Sequence, residues 1–339
     1  MLPNKKQVIQ RRMKKLIEEF PDQIREAIQI AKNAHLKRQP KDIRNLVICG
    51  MGGSGIGGMI VTQWIESETK VPIILVQDYK LPSFIDAHSL VIGSSYSGNT
   101  EETLIALEEA KRRGAQIAGV CSGGQLKEFC DANGYDCIVV RGGFPPRAAT
   151  GYAVVQLLKI LETYGLILPG RIDAMLISAD FLNEKKTEIH TLAKRIADAL
   201  YGKVGVIYSG PEYQSVVTRA RQQFNENSKY LCITHIIPEM NHNELVGWGG
   251  GDDRFSVLFI DGEDISERNK LRMEISKEII GHKTPHLMTI LACGASHIER
   301  CMYLINVIDW ASFYLNELTG ADIMDIKVID HLKSELAKI

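Results

Sequence analysis

Two segments of this 339-residue chain combine small residues, hydroxyls and a following helix in the way an anion site requires. GMGGSGIGG at Gly50–Gly58 follows the apolar run Leu46–Cys49, and GSSYSGNTEET at Gly93–Thr103 follows Leu90–Ile92. A strand that delivers such a turn to a helix start presents unpaired amides and the positive end of the helix dipole, and glycine lets an anion approach the backbone. Ser54, Ser95, Ser97 and Thr100 add hydroxyl donors. The first segment alone also fits the GxGxxG dinucleotide pattern through Gly50, Gly52 and Gly55. No acidic residue closes a second strand about twenty residues later, as that pattern asks. Asp78 lies 28 positions beyond Gly50, after a separate strand, and the Lys of a nucleotide-phosphate loop is missing. Three hydroxyls between Ser95 and Thr100 favour a phosphomonoester instead.

Groups able to move protons or meet negative charge lie further along. Arg147 follows FPP, which holds the backbone extended and presents one cation at a strand end, the alternative being a helix-surface arginine. Glu226 in FNENSK is a general base or an exposed carboxylate at a helix end. His242 in PEMNHNE carries the side chain suited to proton transfer near neutral pH. Glu239, His242 and Glu244 match no strong zinc spacing, so no metal is expected. His282, His286 and His297 are scattered and read as structural imidazoles.

The elements that must position these groups follow from hydrophobic pattern. Strands are expected at Asn45–Cys49, Ile73–Val76, Ser89–Gly93, Gln116–Val120 and Asp136–Val140, alternating with helices at Gly55–Trp64, Glu101–Arg113, Gln125–Ala132 and Ala148–Thr163. The strands are almost continuously apolar, as in a parallel sheet covered on both faces. After a helical connection over Arg171–Leu200 the pattern restarts. Strands are expected at Val204–Tyr208, Leu231–Ile236, Ser256–Ile260 and Leu287–Ala292, a helix over Pro211–Glu226, and a helical tail from Ser296. The halves read as pseudo-repeats, but YSGPEY replaces GMGGSG in the second, so one phosphate site per chain is expected. Three domains follow: a helical extension at 1–38, interrupted near Pro21, a first α/β domain at 39–180 and a second at 181–339.

Composition narrows the class. With 45% hydrophobic residues the chain can bury a large core, and 40 basic against 41 acidic side chains leave no general footprint for nucleic acid. The RRMKK cluster at Arg11–Lys15 reads as a solvated helix face. No run is long enough to span a membrane, and the first residues lack the apolar core of a secretory signal. Seven scattered Cys without a CxxC suggest free thiols and a cytoplasmic location, with Cys49 and Cys293 buried and structural.

Taken together, GMGGSGIGG, SSYSGNTEET, FPPRAAT, FNENSK, PEMNHNE and IDHLKSEL resemble the bifunctional phosphoglucose/phosphomannose isomerases of the sugar isomerase (SIS) superfamily, from about residue 40 onward. The resemblance implies two SIS domains, each a mostly parallel sheet flanked by helices in a three-layer sandwich. It implies a homodimer, and base-mediated interconversion of glucose 6-phosphate, mannose 6-phosphate and fructose 6-phosphate through an enediolate, without a cofactor. By motif, Gly53, Ser54, Ser95, Ser97 and Thr100 would hold the phosphate, Arg147 would stabilise the enediolate, and Glu226 would move the proton. His242, contributed by the neighbouring subunit, would assist ring opening, with Lys333 or Lys327 near the ring oxygen. A phosphosugar-binding regulatory protein is the competing expectation, since it needs the loops but neither Glu226 nor His242.

Overall fold

The computed structural model describes residues 5–37, 42–336 and 338. It opens with α1 (Lys5–Glu18) and α2 (Phe20–Asn33), which part at Glu19, with Pro21 in the first turn of α2 where its missing N–H costs nothing. Arg11, Arg12, Lys14 and Lys15 face solvent while Met13 and Ile17 are buried, the expected solvated face.

The chain divides into two compact units. The first is Glu19–Glu184 with Gly294–Glu299. After α2 it contains β1 (Asn45–Cys49), α3 (Gly52–Ile65), β2 (Ile73–Val76), β3 (Ser89–Ser94), α4 (Glu101–Arg112), β4 (Gln116–Cys121), α5 (Gly124–Asn133), β5 (Asp136–Val139), α6 (Thr150–Thr163) and α7 (Arg171–Glu184). The strands form one parallel sheet in the order β2-β1-β3-β4-β5. Alternate side chains leave its two faces: Val47, Val91 and Ile117 pack with Ala106, Leu107, Leu126 and Cys130 of α4 and α5. Ile48 instead meets α3, which comes so close that a Cβ on Gly58 would sit 2.9 Å from its Cγ2. Helices therefore cover both faces, which is why the strands have no polar alternation.

Residues read as an N-terminal extension take part in these cores. Ile24, Ala27 and Ile28 of α2 are buried, each fully buried aliphatic side chain such as Ile24 contributing about 1.5–3 kcal/mol. Gln23 donates to Ala148 O at 2.6 Å and accepts from Gly151 N–H at 2.9 Å, while Gln156 donates to Ala27 O at 2.8 Å. These bonds tie α2 to the start of α6.

The second unit comprises α1, Lys185–Cys293 and the chain from Arg300. It holds α8 (Lys186–Leu200), β6 (Val204–Ser209), α9 (Gln214–Ser228), β7 (Cys232–Ile236), α10 (Glu244–Gly247), β8 (Phe255–Asp261), α11 (Glu267–Gly281), β9 (Leu287–Leu291), most of α12 (His297–Thr319) and α13 (Lys327–Leu336). Its parallel sheet runs β7-β6-β8-β9, the order of the first four strands of the other unit. The helical connection expected over Arg171–Leu200 is two helices, α7 and α8, meeting at Lys185, and α11 is a helix the hydrophobic pattern did not reveal. One reading needs correction. Cys293 is only half-buried, because it lies in the turn after β9, whereas Cys49 inside β1 is 1% exposed and burial pushes its thiol up to about 12.

Candidate active site

In the first unit the chain leaves β1 for β2 on one side and later returns to β3 on the other. Parallel α/β sheets open a crevice at the carboxyl ends of two such strands, where the connections diverge. The first turn of α3, just after β1, carries Gly53 and Ser54, and the loop after β3 carries Ser95, Ser97 and Thr100. Both hydroxyl-bearing segments therefore flank one crevice. The topology explains a pairing that spacing alone could only suggest.

Close backbone packing brings the segments together. A Cβ on Gly53 would lie 2.5 Å from Pro146 O and 3.1 Å from Arg147 N, so the first turn of α3 rests directly on the one-turn 3-10 helix Pro146–Ala148. Arg147 is 4% exposed and sits at that contact, which removes the helix-surface alternative. Gly98 has φ +71°, and a Cβ there would fall inside the carbonyl oxygen of Gly123, so the turn after β3 locks onto the turn after β4.

The hydroxyls are held in defined directions. Ser54 Oγ accepts the Tyr96 N–H at 2.9 Å, and Ser95 Oγ and Thr100 Oγ1 share one hydrogen bond of 2.7 Å. Ser97 Oγ accepts the Asn99 N–H at 3.2 Å. An acceptor hydroxyl still has its proton to give, and a bonded hydroxyl pair retains one. Ser54, Ser97 and the Ser95–Thr100 pair thus keep donor capacity. The starts of α3 and α4 receive no side-chain cap, so their first-turn amides and dipoles add to that capacity. Tyr96 donates to Arg141 O at 2.8 Å, and burial pushes its phenol up, keeping it neutral.

The remaining expected site residues belong to the second unit. Glu226 is half-buried in the last turn of α9, two residues before the helix ends at Ser228, and the C-cap Lys229 takes a left-handed conformation at φ 54°. His242 is exposed at the end of the one-turn 3-10 helix Glu239–His242. Lys333 and Lys327 are exposed on α13, a helix with no buried side chain, and Lys327 lies 3.7 Å from Asp325.

Sequence reasoning missed what anchors the His242 loop. Glu244 accepts from Tyr208 Oη at 2.5 Å and pairs with His235 Nδ1 at 2.8 Å, while Trp248 Nε1 donates to Tyr208 Oη at 3.0 Å. Burial, then Glu244, pushes the Tyr208 phenol up, so it stays a donor. Tyr208, Glu244 and Trp248 border a cavity of about 360 Å³ with Val206, Ile233 and Phe255. The polar PEMNHNE string showed an unusual loop, but its partners sit on β6 and β7, where Tyr208 and His235 read as ordinary strand residues. Glu239 turns away to Asn243, and among the described residues no three His, Cys, Asp or Glu side chains are grouped to hold a metal.

The architecture defines a two-domain SIS protein. The SIS domain family matches residues 41–135, and the bacterial phospho-glucose isomerase C-terminal SIS domain family matches residues 189–336. The C-terminal domain of glucosamine-fructose-6-phosphate aminotransferase from Francisella tularensis superposes with a TM-score of 0.71 at 14% identity, covering 92% of this chain and 98% of that one. A bifunctional phosphoglucose/phosphomannose isomerase from Caldicellulosiruptor bescii is 37% identical over 94% of this chain and 97% of its own. A D-glucosamine-6-phosphate 4-epimerase from Sulfolobus acidocaldarius is 31% identical over 67% of this chain and 72% of its own. The chain belongs to the bifunctional phosphoglucose/phosphomannose isomerase family, and it is an aldose–ketose isomerase.

Proposed function

We propose that the chain interconverts glucose 6-phosphate, mannose 6-phosphate and fructose 6-phosphate, with the sugar phosphate held at the crevice between β1 and β3. The observation that carries this reading is the meeting of two hydroxyl-bearing turns and two uncapped helix starts at one strand crossover. Gly53, Ser54, Ser95, Ser97 and Thr100 bind the phosphate, which contributes remote binding energy and orients C1 and C2. Glu226 carries the proton between them. A C–H beside a carbonyl is too weakly acidic for a base alone, so the developing enediolate oxygen needs a positive partner, the role assigned to Arg147. His242 assists ring opening with Lys333 or Lys327.

The protein acts as a cytoplasmic homodimer in this reading, with His242 completing the partner's site. Support comes from the apolar side chain of Val246 in α10, four residues beyond His242, which is 81% exposed. No helix among the described residues is long and apolar enough to cross a membrane.

The test is a product assay from fructose 6-phosphate, with and without a chelator. Glucose 6-phosphate and mannose 6-phosphate are both expected, at rates the chelator leaves unchanged. Formation of a single aldose overturns the dual specificity, and loss of rate on chelation overturns the metal-free chemistry. A parallel incubation with glucosamine 6-phosphate should return no C4 epimer, which separates this chain from its epimerase relative.

A further inference from the structure

α9 and α12 are joined by a run of buried polar side chains. Arg219, Gln223 and Asn227 recur every four residues along α9, which places them on one face. Facing them are Asp309, Ser312 and Asn316 of α12, and all six are at most 5% exposed. Arg219 grips Asp309 with two bonds of 3.1 and 2.8 Å, and Gln223 Nε2 donates to the same carboxylate at 2.8 Å. Asn227 Nδ2 donates to Ser312 Oγ at 2.9 Å, and Ser228 Oγ to Ser312 O at 2.7 Å. The last carbonyls of α9 are capped from the same helix: Asn316 Nδ2 donates to Asn227 O at 2.7 Å and Thr319 Oγ1 to Ser228 O at 3.2 Å.

Such a ladder is a poor route to stability. Replacing a buried ion pair by apolar side chains of similar volume is often neutral or stabilising. Gln223 Oε1 is moreover buried without a hydrogen-bond partner, which is costly. What directional bonds supply, and apolar packing does not, is one axial register and one rotation of α9 against α12. The rungs run from Arg219 to Ser228 and enclose Glu226, between Gln223 and Asn227.

We propose that this buried ladder is the positioning device for Glu226, with Asp309, Ser312 and Asn316 of α12 holding the carboxylate where proton transfer needs it. The proposal rests on Glu226 being the base. Misplacing a reacting group by about 1 Å can cost a hundredfold in rate, so fixing this helix end is a kinetic requirement.

The test replaces the far rung with apolar groups, as Arg219→Met, Gln223→Leu and Asp309→Leu together. The expected result is a melting temperature equal to or above the parent's, a KM for fructose 6-phosphate within about twofold, and kcat down by about ten- to a hundredfold. Ser312→Ala serves as a second variant if the triple change does not fold. It should lower kcat less, by a few-fold, with the KM for fructose 6-phosphate again within about twofold. An unchanged kcat in a folded variant, or a loss that comes only with a lower melting temperature or a raised KM, overturns the ladder's role. Glu226→Gln is assayed alongside. If it keeps turnover, the base assignment itself fails; if it is inactive while the ladder variants are unimpaired, only the positioning proposal fails.

Discussion

The two units repeat one topology, but in the proposed reading only the first holds an anion at its strand crossover. After β1 the chain enters α3 through GMGGSG, and after β3 it enters α4 behind Thr100, whose hydroxyl is shared with Ser95 instead of capping the helix. At the matching points of the second unit one helix start is capped, while α9 and the 3-10 turn Pro211–Tyr213 before it have no side-chain cap. α11 is capped by its own Ser266, which accepts from Asn269 N–H at 3.4 Å. The Glu212 carboxylate folds back over Gly210 and accepts from Ser266 N–H at 3.4 Å. Asp264, in the turn after β8, accepts from Tyr213 Oη at 2.6 Å and from Arg300 Nε at 2.7 Å. Glu212, Asp264 and a satisfied cap stand at the second crossover, whereas the first has hydroxyls and uncapped helix starts, with Glu101 and Glu102 in the first turn of α4. Topology repeats the crossover, while the hydroxyls of one unit and the carboxylates Glu212 and Asp264 of the other distinguish the two.

The comparison breaks most visibly at glycines of equal backbone angle. Gly98 and Gly202 have φ of 71° and 73°, but a Cβ on Gly98 meets Gly123 O while one on Gly202 meets nothing within 4 Å. Gly202→Ala should lose about 1–2 kcal/mol, the cost of the left-handed angle. Gly98→Ala should lose at least about 2 kcal/mol more, because backbone must also move. Denaturant unfolding of both variants measures the difference, and equal losses would mean the turn after β3 is not locked as described.

A smaller effect sharpens the charge argument. Ser54→Ala should weaken sugar-phosphate binding by about 0.5–1.5 kcal/mol, the net worth of one neutral donor, with a stoichiometry of one per chain. Glu212→Gln in the other unit should change neither affinity nor stoichiometry. Calorimetric titration with fructose 6-phosphate reads both variants, and a stoichiometry of two would contradict the single-site account.

Much of this contrast was present in residue types. Apolar runs such as Leu46–Cys49 located the strands because parallel strands buried on both faces cannot alternate, and the density of Gly and Ser marked two segments that the fold brings to one strand crossover. α11 escaped notice because Met273, Ser276 and Ile280 are its only buried side chains, too weak a stripe to register as a period. The role of α2 was hidden for another reason. Its bonds from Gln23 and Gln156 link positions more than a hundred residues apart, and local pattern carries no information about such partners. The same limit concealed the Arg219–Asp309 rung and the Tyr208–Glu244 anchor.

The central claim divides the work between the units: the first binds phosphate, while Glu226 of the second moves the proton. Glu226→Gln tests it most directly, with fructose 6-phosphate affinity and turnover measured on one preparation. Affinity should stay within about twofold of the parent while turnover falls at least about a hundredfold, the scale of losing a positioned proton-transfer group. Turnover at the parental rate, or binding lost together with turnover, would contradict that division.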